Sequence, residues 1–215
     1  MNPEVMMRSS SYGTVSSLAF LCALLSTGSV AAQTRDPGEL VAAYVREYQP
    51  QQAHSAAFLD LVHVLTNPDY PAASLEKLLN GLEQVALSSE PQRLRAQAAL
   101  ALAIPGKRRT AHPTGTFSRL ERVYGRSADP LVRSAIVRAM GELAETRAPV
   151  LFLERVAKQE SSDFPDSQQR ALTSLLKLDE EGRSVLKRLH ETNAVRNPKA
   201  KQNLAYLAKQ GYRSR

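Results

Sequence analysis

A four-residue motif recurs along the chain at a fixed interval, and this recurrence constrains the fold more than any other feature. Leu-Glu-Arg-Val occurs at 120–123 and again 33 residues later at 153–156, and Leu-Lys-Arg-Leu follows after another 33 residues, at 186–189. Leu-Glu-Gln-Val at 82–85 precedes the copy at 120–123 by 38 residues, which is five more than the interval of 33. The five additional positions indicate a loop insertion, because residues 105–113 are rich in helix-breaking and basic residues. Self-similarity at this period is typical of repeat proteins.

A second pattern recurs within each unit and predicts a second helix. In the clearest copy the apolar residues fall at i, i+4, i+7, i+8 and i+11, which places them on one face of an α-helix. These residues are Val132, Ile136, Ala139, Met140 and Leu143. Corresponding patterns begin at Leu94, Gln168 and Ala200 in the other copies.

Residues that favour helix starts stand at the expected places. Asp129-Pro130 and Asn197-Pro198 each combine an N-cap oxygen with a proline at the first helical position. Asp36 with Glu39 three residues later forms a capping-box pattern. Val, Ile and Thr nowhere alternate with polar residues over the length of a strand, so we expect no sheet. Two helices per unit, repeated four times, predict an all-α chain of stacked helical hairpins, an α-solenoid.

The clearest unit resembles a known repeat family. Asp-Pro-Leu-Val-Arg-Ser-Ala-Ile-Val-Arg-Ala-Met-Gly-Glu-Leu-Ala at 129–144 leads into Ala-Pro-Val-Leu-Phe-Leu-Glu-Arg-Val at 148–156. This pattern resembles the HEAT repeat family, particularly its short bacterial form, although Gln168-Gln169 replaces the Val-Arg that the pattern requires in the third unit. The resemblance implies a right-handed α-solenoid of about four HEAT-like hairpins over residues 72–215. Tetratricopeptide repeats have a similar period, but their Trp/Gly/Tyr signature is absent from this sequence.

The residues ahead of the repeats predict two further segments. Within 33–71, the stretches Glu39–Tyr48 and Ala53–Leu65 predict an N-terminal capping helix pair. Residues 1–32 are expected to be a secretory signal peptide cleaved after Ala32, because an apolar run of eight residues precedes small side chains at the cleavage position.

Alternatives to a cleaved signal are a retained membrane anchor and a lipoprotein attached at Cys22. Eight apolar residues fall short of the roughly 20 that cross a bilayer. Leu21 stands where the lipoprotein pattern requires a small side chain. We therefore predict a periplasmic or secreted protein with no membrane span after cleavage. Cleavage would also remove the single cysteine of the chain and exclude thiol catalysis.

The sequence offers no catalytic constellation. His54, His63, His112 and His190 stand far apart in the sequence, so no two of them form an i, i+4 metal pair. No glycine-rich phosphate loop, no Gly-x-Ser-x-Gly elbow and no haem attachment motif is present. We predict that the protein is not an enzyme and that it has no catalytic residue, cofactor or metal site. An enzyme with an unrecognised site is the alternative, because a fold does not determine a function.

Charge is divided unevenly along the chain, which indicates either an anionic partner or long helices whose solvated faces are rich in Lys and Arg. Residues 33–90 carry 3 basic and 8 acidic residues, whereas residues 91–215 carry 24 basic and 12 acidic residues. The HEAT resemblance implies that the second helices line the concave surface, where equivalent positions are Arg95, Arg133, Gln169 and Lys201. The predicted partner-binding residues are Arg95, Arg133, Arg138, Arg170, Lys201 and the loop residues Lys107, Arg108 and Arg109. Alternatively, each of these cations pairs with a carboxylate or carbonyl of a neighbouring turn.

These observations predict a non-catalytic exported scaffold or adaptor that binds a protein partner, expected to be acidic, along its helical surface. Binding of an anionic polymer such as nucleic acid or an acidic glycan by the basic C-terminal two-thirds is the alternative function. Export argues against nucleic acid as the partner. The sequence does not predict the oligomeric state.

Overall fold

A computed structural model of the protein describes residues 35–51, 55–107, 115–143, 147–158 and 165–213. All regular secondary structure in these ranges is helical, which confirms the all-α prediction for this part of the chain. The predicted signal peptide and its cleavage position lie outside the described residues, as do Arg108 and Arg109.

Ten α-helices and one short 3₁₀ turn, Pro105–Lys107, make up the described structure. The helices are α1 (Pro37–Arg46), α2 (Ala56–Thr66), α3 (Ala72–Leu87), α4 (Gln92–Leu102), α5 (Thr116–Arg126), α6 (Pro130–Met140), α7 (Arg147–Lys158), α8 (Pro165–Lys177), α9 (Asp179–Glu191) and α10 (Pro198–Arg213). Helices α1 and α2 lie where the sequence predicted a helix pair, with boundaries shifted by one to three residues.

The predicted N-caps begin their helices as expected. The Asp129 carboxylate accepts hydrogen bonds from two backbone N–H groups in the first turn of α6, at 2.8 and 3.3 Å. Asn197 accepts one from the first turn of α10 at 3.1 Å, and Asp36 accepts one from α1 at 2.8 Å. No hydrogen bond between the Glu39 carboxylate and the Asp36 N–H occurs among the described residues. Asp36 therefore caps α1 without the reciprocal half of a capping box.

Consecutive helices pack in pairs, and the second helix of each pair also packs against the next pair. The paired helices are α3 with α4, α5 with α6, α7 with α8 and α9 with α10. Helix α4 contacts α6, α6 contacts α8, and α8 contacts α10. Among the first helices, α3 contacts α5 and α7 contacts α9, while α1 packs against α2 and α3. A single apolar core therefore extends from α1 to α10.

The recurring sequence motif occupies equivalent buried positions in four helices. Its leucine is almost fully buried in α3, α5, α7 and α9, at Leu82, Leu120, Leu153 and Leu186. The fourth motif residue is buried in each copy, at Val85, Val123, Val156 and Leu189. The predicted apolar stripe of α6 is also buried along its whole length. The periodicity therefore identified core positions correctly.

Candidate partner-binding surface

The second helices α4, α6 and α8 lie side by side with corresponding ends together. Lys107 follows α4, Glu142 follows α6 and Lys177 ends α8. The Lys107 ammonium pairs with the Glu142 carboxylate, and the Lys177 Nζ lies 4.0 Å from the same side chain. At the opposite end, Arg95 of α4 pairs with Asp129, the N-cap of α6. These contacts place the outward-facing sides of the three helices on one surface.

Each of these helices exposes one stripe of residues at helical spacing. The stripes are Arg93, Gln97, Leu100 and Ile104 on α4 and its following turn, Leu131, Ala135, Arg138 and Glu142 on α6, and Asp166, Arg170, Thr173 and Lys177 on α8. We call these three stripes the second-helix face. Lys201 is exposed on α10, the helix that packs against α8. The face combines cations with partly exposed apolar side chains.

Two of the predicted binding residues form contacts between neighbouring helices. Arg95 pairs with the Asp129 carboxylate, whose side chain is itself largely buried. The Arg133 Nε donates a hydrogen bond to the Ser127 carbonyl at 2.6 Å, and its guanidinium carbon lies 4.8 Å from the centroid of the Tyr124 ring. A cation over an aromatic face is stabilised by the ring quadrupole. Both arginines thus adopt the alternative arrangement, in which the cation pairs with a neighbouring turn.

The Glu142 carboxylate forms ion pairs with cations at the C-terminal ends of the second helices. Burial would raise the pKa of the Glu142 carboxyl, but the hydrogen bond from Lys107 and the charges of Lys107, Arg138 and Lys177 lower it below its ordinary value. Arg138 donates to Glu142 at 3.4 Å across one helical turn, and half of its side chain is exposed. Lys107 is mostly buried in this contact. Glu142 is therefore ionised at neutral pH and neutralises part of the predicted binding site.

The last two predicted residues within the described ranges are available to a ligand. Arg170 and Lys201 are exposed and form no ion pair or side-chain hydrogen bond with any described residue. Arg93, Lys199 and Lys209 on the second helices share this property, and so do Arg46, Lys77, Arg126 and Arg147 on the first helices. The structure thus separates the predicted cations into four that make internal contacts, two that do not, and two, Arg108 and Arg109, that lie outside its description.

The first helices carry a feature that sequence reasoning missed. The Glu of one motif copy pairs with the Arg of the next copy along the chain. The pairs are Glu83–Arg122, Glu121–Arg155 and Glu154–Arg188, with N–O distances of 2.9, 2.7 and 2.7 Å. We call this series the Glu–Arg ladder. The signal that could have revealed it was the recurrence, after the motif leucine, of Glu at the second position in three copies and of Arg at the third position in three copies.

A buried arginine reinforces the first pair of the ladder. Arg119 is only 6% exposed, and its guanidinium contacts Glu76, Asn80 and Glu83. The hydrogen bond from Arg122 lowers the pKa of Glu83, an effect that outweighs burial, and Arg119 lowers it further. Much of the charge on the first helices is therefore neutralised by neighbouring helices, because each Glu of the ladder is paired across a helix boundary.

Other types of site lack support in the described part of the chain. No group of three or more His, Cys, Asp or Glu side chains there could hold a metal ion. No described helix has both the length and the apolar character that a membrane crossing requires. No family model, curated protein or solved structure matches the chain.

Proposed function

We propose that this protein is a non-catalytic, exported helical scaffold that binds an acidic protein partner through the second-helix face and the adjoining helix α10, with Arg170 and Lys201 as principal contacts. The distribution of cations without internal partners carries this proposal. Helices α8 and α10 contain five Lys or Arg within residues 165–209, of which all but Lys177 form no ion pair with a described residue, and Asp166 is the one acidic residue in their sequences. A cation that is not engaged internally can attract and orient an anionic partner.

A HEAT-like, right-handed solenoid is the architecture that we propose for this scaffold. The equivalent burial of the motif leucines and the successive packing of α4, α6, α8 and α10 support it. An isolated helical hairpin leaves an apolar face uncovered, and stacking on a neighbour covers that face. The sequence resemblance to HEAT repeats supports the handedness and the assignment of α1 and α2 as a cap.

Apolar residues on the second-helix face favour a protein over a simple polyanion as the ligand. Leu131 is exposed on α6, one stripe position away from Ala135 and two from Arg138. Leu100 and Ile104 are partly exposed on the neighbouring α4 stripe. Protein interfaces combine an apolar centre with a polar rim, whereas polyanion sites depend mainly on cations.

Position-specific photocrosslinking in cells tests this proposal. A photoreactive phenylalanine analogue replaces Thr173, which lies between Arg170 and Lys177 on the face, and in a second variant it replaces the exposed Gln84 on α3. We expect one acidic protein to be crosslinked from position 173 and not from position 84. Equal crosslinking from both positions, or none from 173, would contradict the proposal.

Charge reversal then measures the contribution of the cations. Arg170→Glu with Lys201→Glu should weaken binding of the crosslinked partner at least about 10-fold, which corresponds to roughly 1.4 kcal/mol. Lys77→Glu with Arg126→Glu is the matched control, because both residues are exposed on first helices without a described ion-pair partner. The control should retain binding. Equal losses in the two double variants would refute the assignment to the second-helix face.

Salt dependence separates this function from binding of an anionic polymer. A polyanion complex should weaken steeply between about 50 and 200 mM salt, since each neutralised phosphate or sulfate releases counterions. Apolar contacts should make the protein complex less sensitive. Steep salt dependence with heparin or single-stranded DNA, without a crosslinked protein, would support the polymer instead.

Export is tested by the N-terminus of the protein isolated from the cell envelope or the medium. Cleavage after Ala32 predicts that the sequence of the isolated chain begins at Gln33. A chain that retains residues 1–32 in the cytoplasmic fraction would contradict this part of the proposal.

A further inference from the structure

A groove of about 520 Å³ lies between α7 and α9, on the first-helix side of the molecule. Val150 and Val185 form its buried floor, and Leu151 stands at its rim with 60% of its surface exposed. Glu180 and Glu181, in the first turn of α9, line the groove and form no ion pair with any described residue. The groove therefore offers an exposed apolar side chain beside two unpaired carboxylates.

Among the other charged residues that line the groove, Glu154 and Arg188 form a hydrogen-bonded ion pair at 2.7 Å and cancel. Glu154 also accepts a hydrogen bond from Lys158 at 2.7 Å, and this cation reduces the net charge at the groove from −2 to −1. Glu180 and Glu181 therefore keep the groove negative, in a chain whose overall charge is +7. Their position at a helix N-terminus stabilises both carboxylates without removing their charge. A ligand for this groove should therefore be cationic and should carry an apolar group.

Helix α10 of the same protein has this chemistry on its outer stripe. Lys199, Gln202, Tyr206 and Lys209 recur at helical spacing and are all exposed. Tyr206 has 60% of its surface exposed, which makes it and Leu151 the two most exposed of the large hydrophobic residues described. Neither lysine forms an ion pair with a described residue, and no acidic residue occurs in α10.

We infer that the α7–α9 groove is a self-association site that receives the outer stripe of α10 from a second copy of this chain. Tyr206 packs against Leu151, and Lys209, less than one turn from Tyr206, faces Glu180 and Glu181. Lys199 lies about two turns away from Tyr206 and adds attraction at longer range. Lys201 lies about 160° around the helix from Lys199, so partner binding and self-association use different edges of α10. The inference does not depend on the function proposed above.

The repulsion between two copies of charge +7 opposes this contact. At physiological ionic strength, however, charges beyond about 8 Å are largely screened, so the contacting groups dominate. The contact should therefore persist at physiological salt.

Sedimentation equilibrium of the full chain and of charge-reversed variants tests the inference. The unmodified chain should show an average mass that rises above that of the monomer as its concentration increases. Glu180→Lys with Glu181→Lys, or Lys199→Glu with Lys209→Glu, should each weaken self-association by about 10-fold or more. An equimolar mixture of these two double variants should restore it, because both contacts of the mixed pair are again complementary.

Two further variants separate the contact from effects on charge and folding. Leu151→Ala changes no charge and should also weaken self-association. Lys77→Glu with Arg126→Glu reverses two cations on first helices and should not weaken it. Circular dichroism confirms that each variant is folded.

Two results would overturn the inference. The first is a chain that stays monomeric up to about 100 μM, which is the dissociation constant expected of a weak contact. If such a monomer binds a lysine-rich, tyrosine-containing peptide, the groove is assigned to a basic segment of another protein. The second is a mixture of folded, charge-reversed variants that fails to associate.

Discussion

Replacement of Leu153 by alanine should destabilise the protein strongly, whereas the same replacement at Leu151 should not. Both leucines lie in α7, two residues apart, but Leu153 is fully buried and Leu151 is 60% exposed. Leu→Ala removes three carbons, and at about 0.8 kcal/mol per buried methylene the transfer loss alone is roughly 2.4 kcal/mol. The unfilled cavity adds to this loss, so we expect a decrease of about 3–4 kcal/mol in the free energy of unfolding.

Urea denaturation followed by far-UV circular dichroism measures this difference. Leu153→Ala should lower the transition midpoint without changing the m-value, and the melting temperature should fall by roughly 10 °C. Leu151→Ala should change the free energy of unfolding by less than about 0.5 kcal/mol. Leu120→Ala should resemble Leu153→Ala, because the two leucines occupy equivalent motif positions. A loss below about 1 kcal/mol at Leu153, or equal losses at 151 and 153, would refute the assignment of the motif leucine to the core.

Two further predictions concern glycine packing and the Glu142 cluster. Gly125→Ala in α5 should stabilise the protein by about 0.5–1 kcal/mol, since no atom lies near the added methyl group. Gly182→Ala in α9 should destabilise the protein by about 1–3 kcal/mol, because the added methyl group would collide with the Leu175 carbonyl. Thermal melts of both variants check these two values, and a stabilised Gly182→Ala variant would contradict the second. The pKa of Glu142 is lowered by Lys107 and its neighbours, so its contribution to stability is fully present above its ordinary pKa of about 4.5 and is lost as the pH falls through the lowered value. The difference in unfolding free energy between the unmodified protein and Glu142→Gln should therefore shrink from pH 6 towards pH 3, and a difference that grows instead would rule out this linkage.

Local features of the fold could be predicted from the sequence because they depend on residues close together in the chain. The N-caps at Asp129 and Asn197 and the apolar stripe of α6 each follow from spacings within three turns of a helix. The motif leucines could be assigned to the core because they repeat with the period of the units. Such patterns survive in any tertiary arrangement that buries one face of each helix.

Charge partners could not be predicted because they depend on the offset between stacked helices. Glu121 and Arg155 belong to different units, and only the observed packing brings their side chains to 2.7 Å. Arg133 was predicted to face a partner, but it folds onto the Ser127 carbonyl and the Tyr124 ring at the turn of its own hairpin. Arg170 lies in the unit where Gln168-Gln169 interrupts the repeat, and it has no such internal contact among the described residues. The sequence pattern places Arg133 and Arg170 on second helices, but it does not predict which of them is engaged internally.

A double-mutant cycle across the Glu–Arg ladder tests most directly whether each motif stacks in register on the next. Glu154→Gln and Arg188→Gln, measured singly and together by urea denaturation, should show a coupling free energy of about 0.5–1 kcal/mol that decreases in roughly 1 M salt. The mismatched cycle of Glu121→Gln with Arg188→Gln should be additive within about 0.3 kcal/mol, because these residues belong to units that are not adjacent. Coupling that is absent from the first cycle, or equal in both, would contradict the stacking of the units.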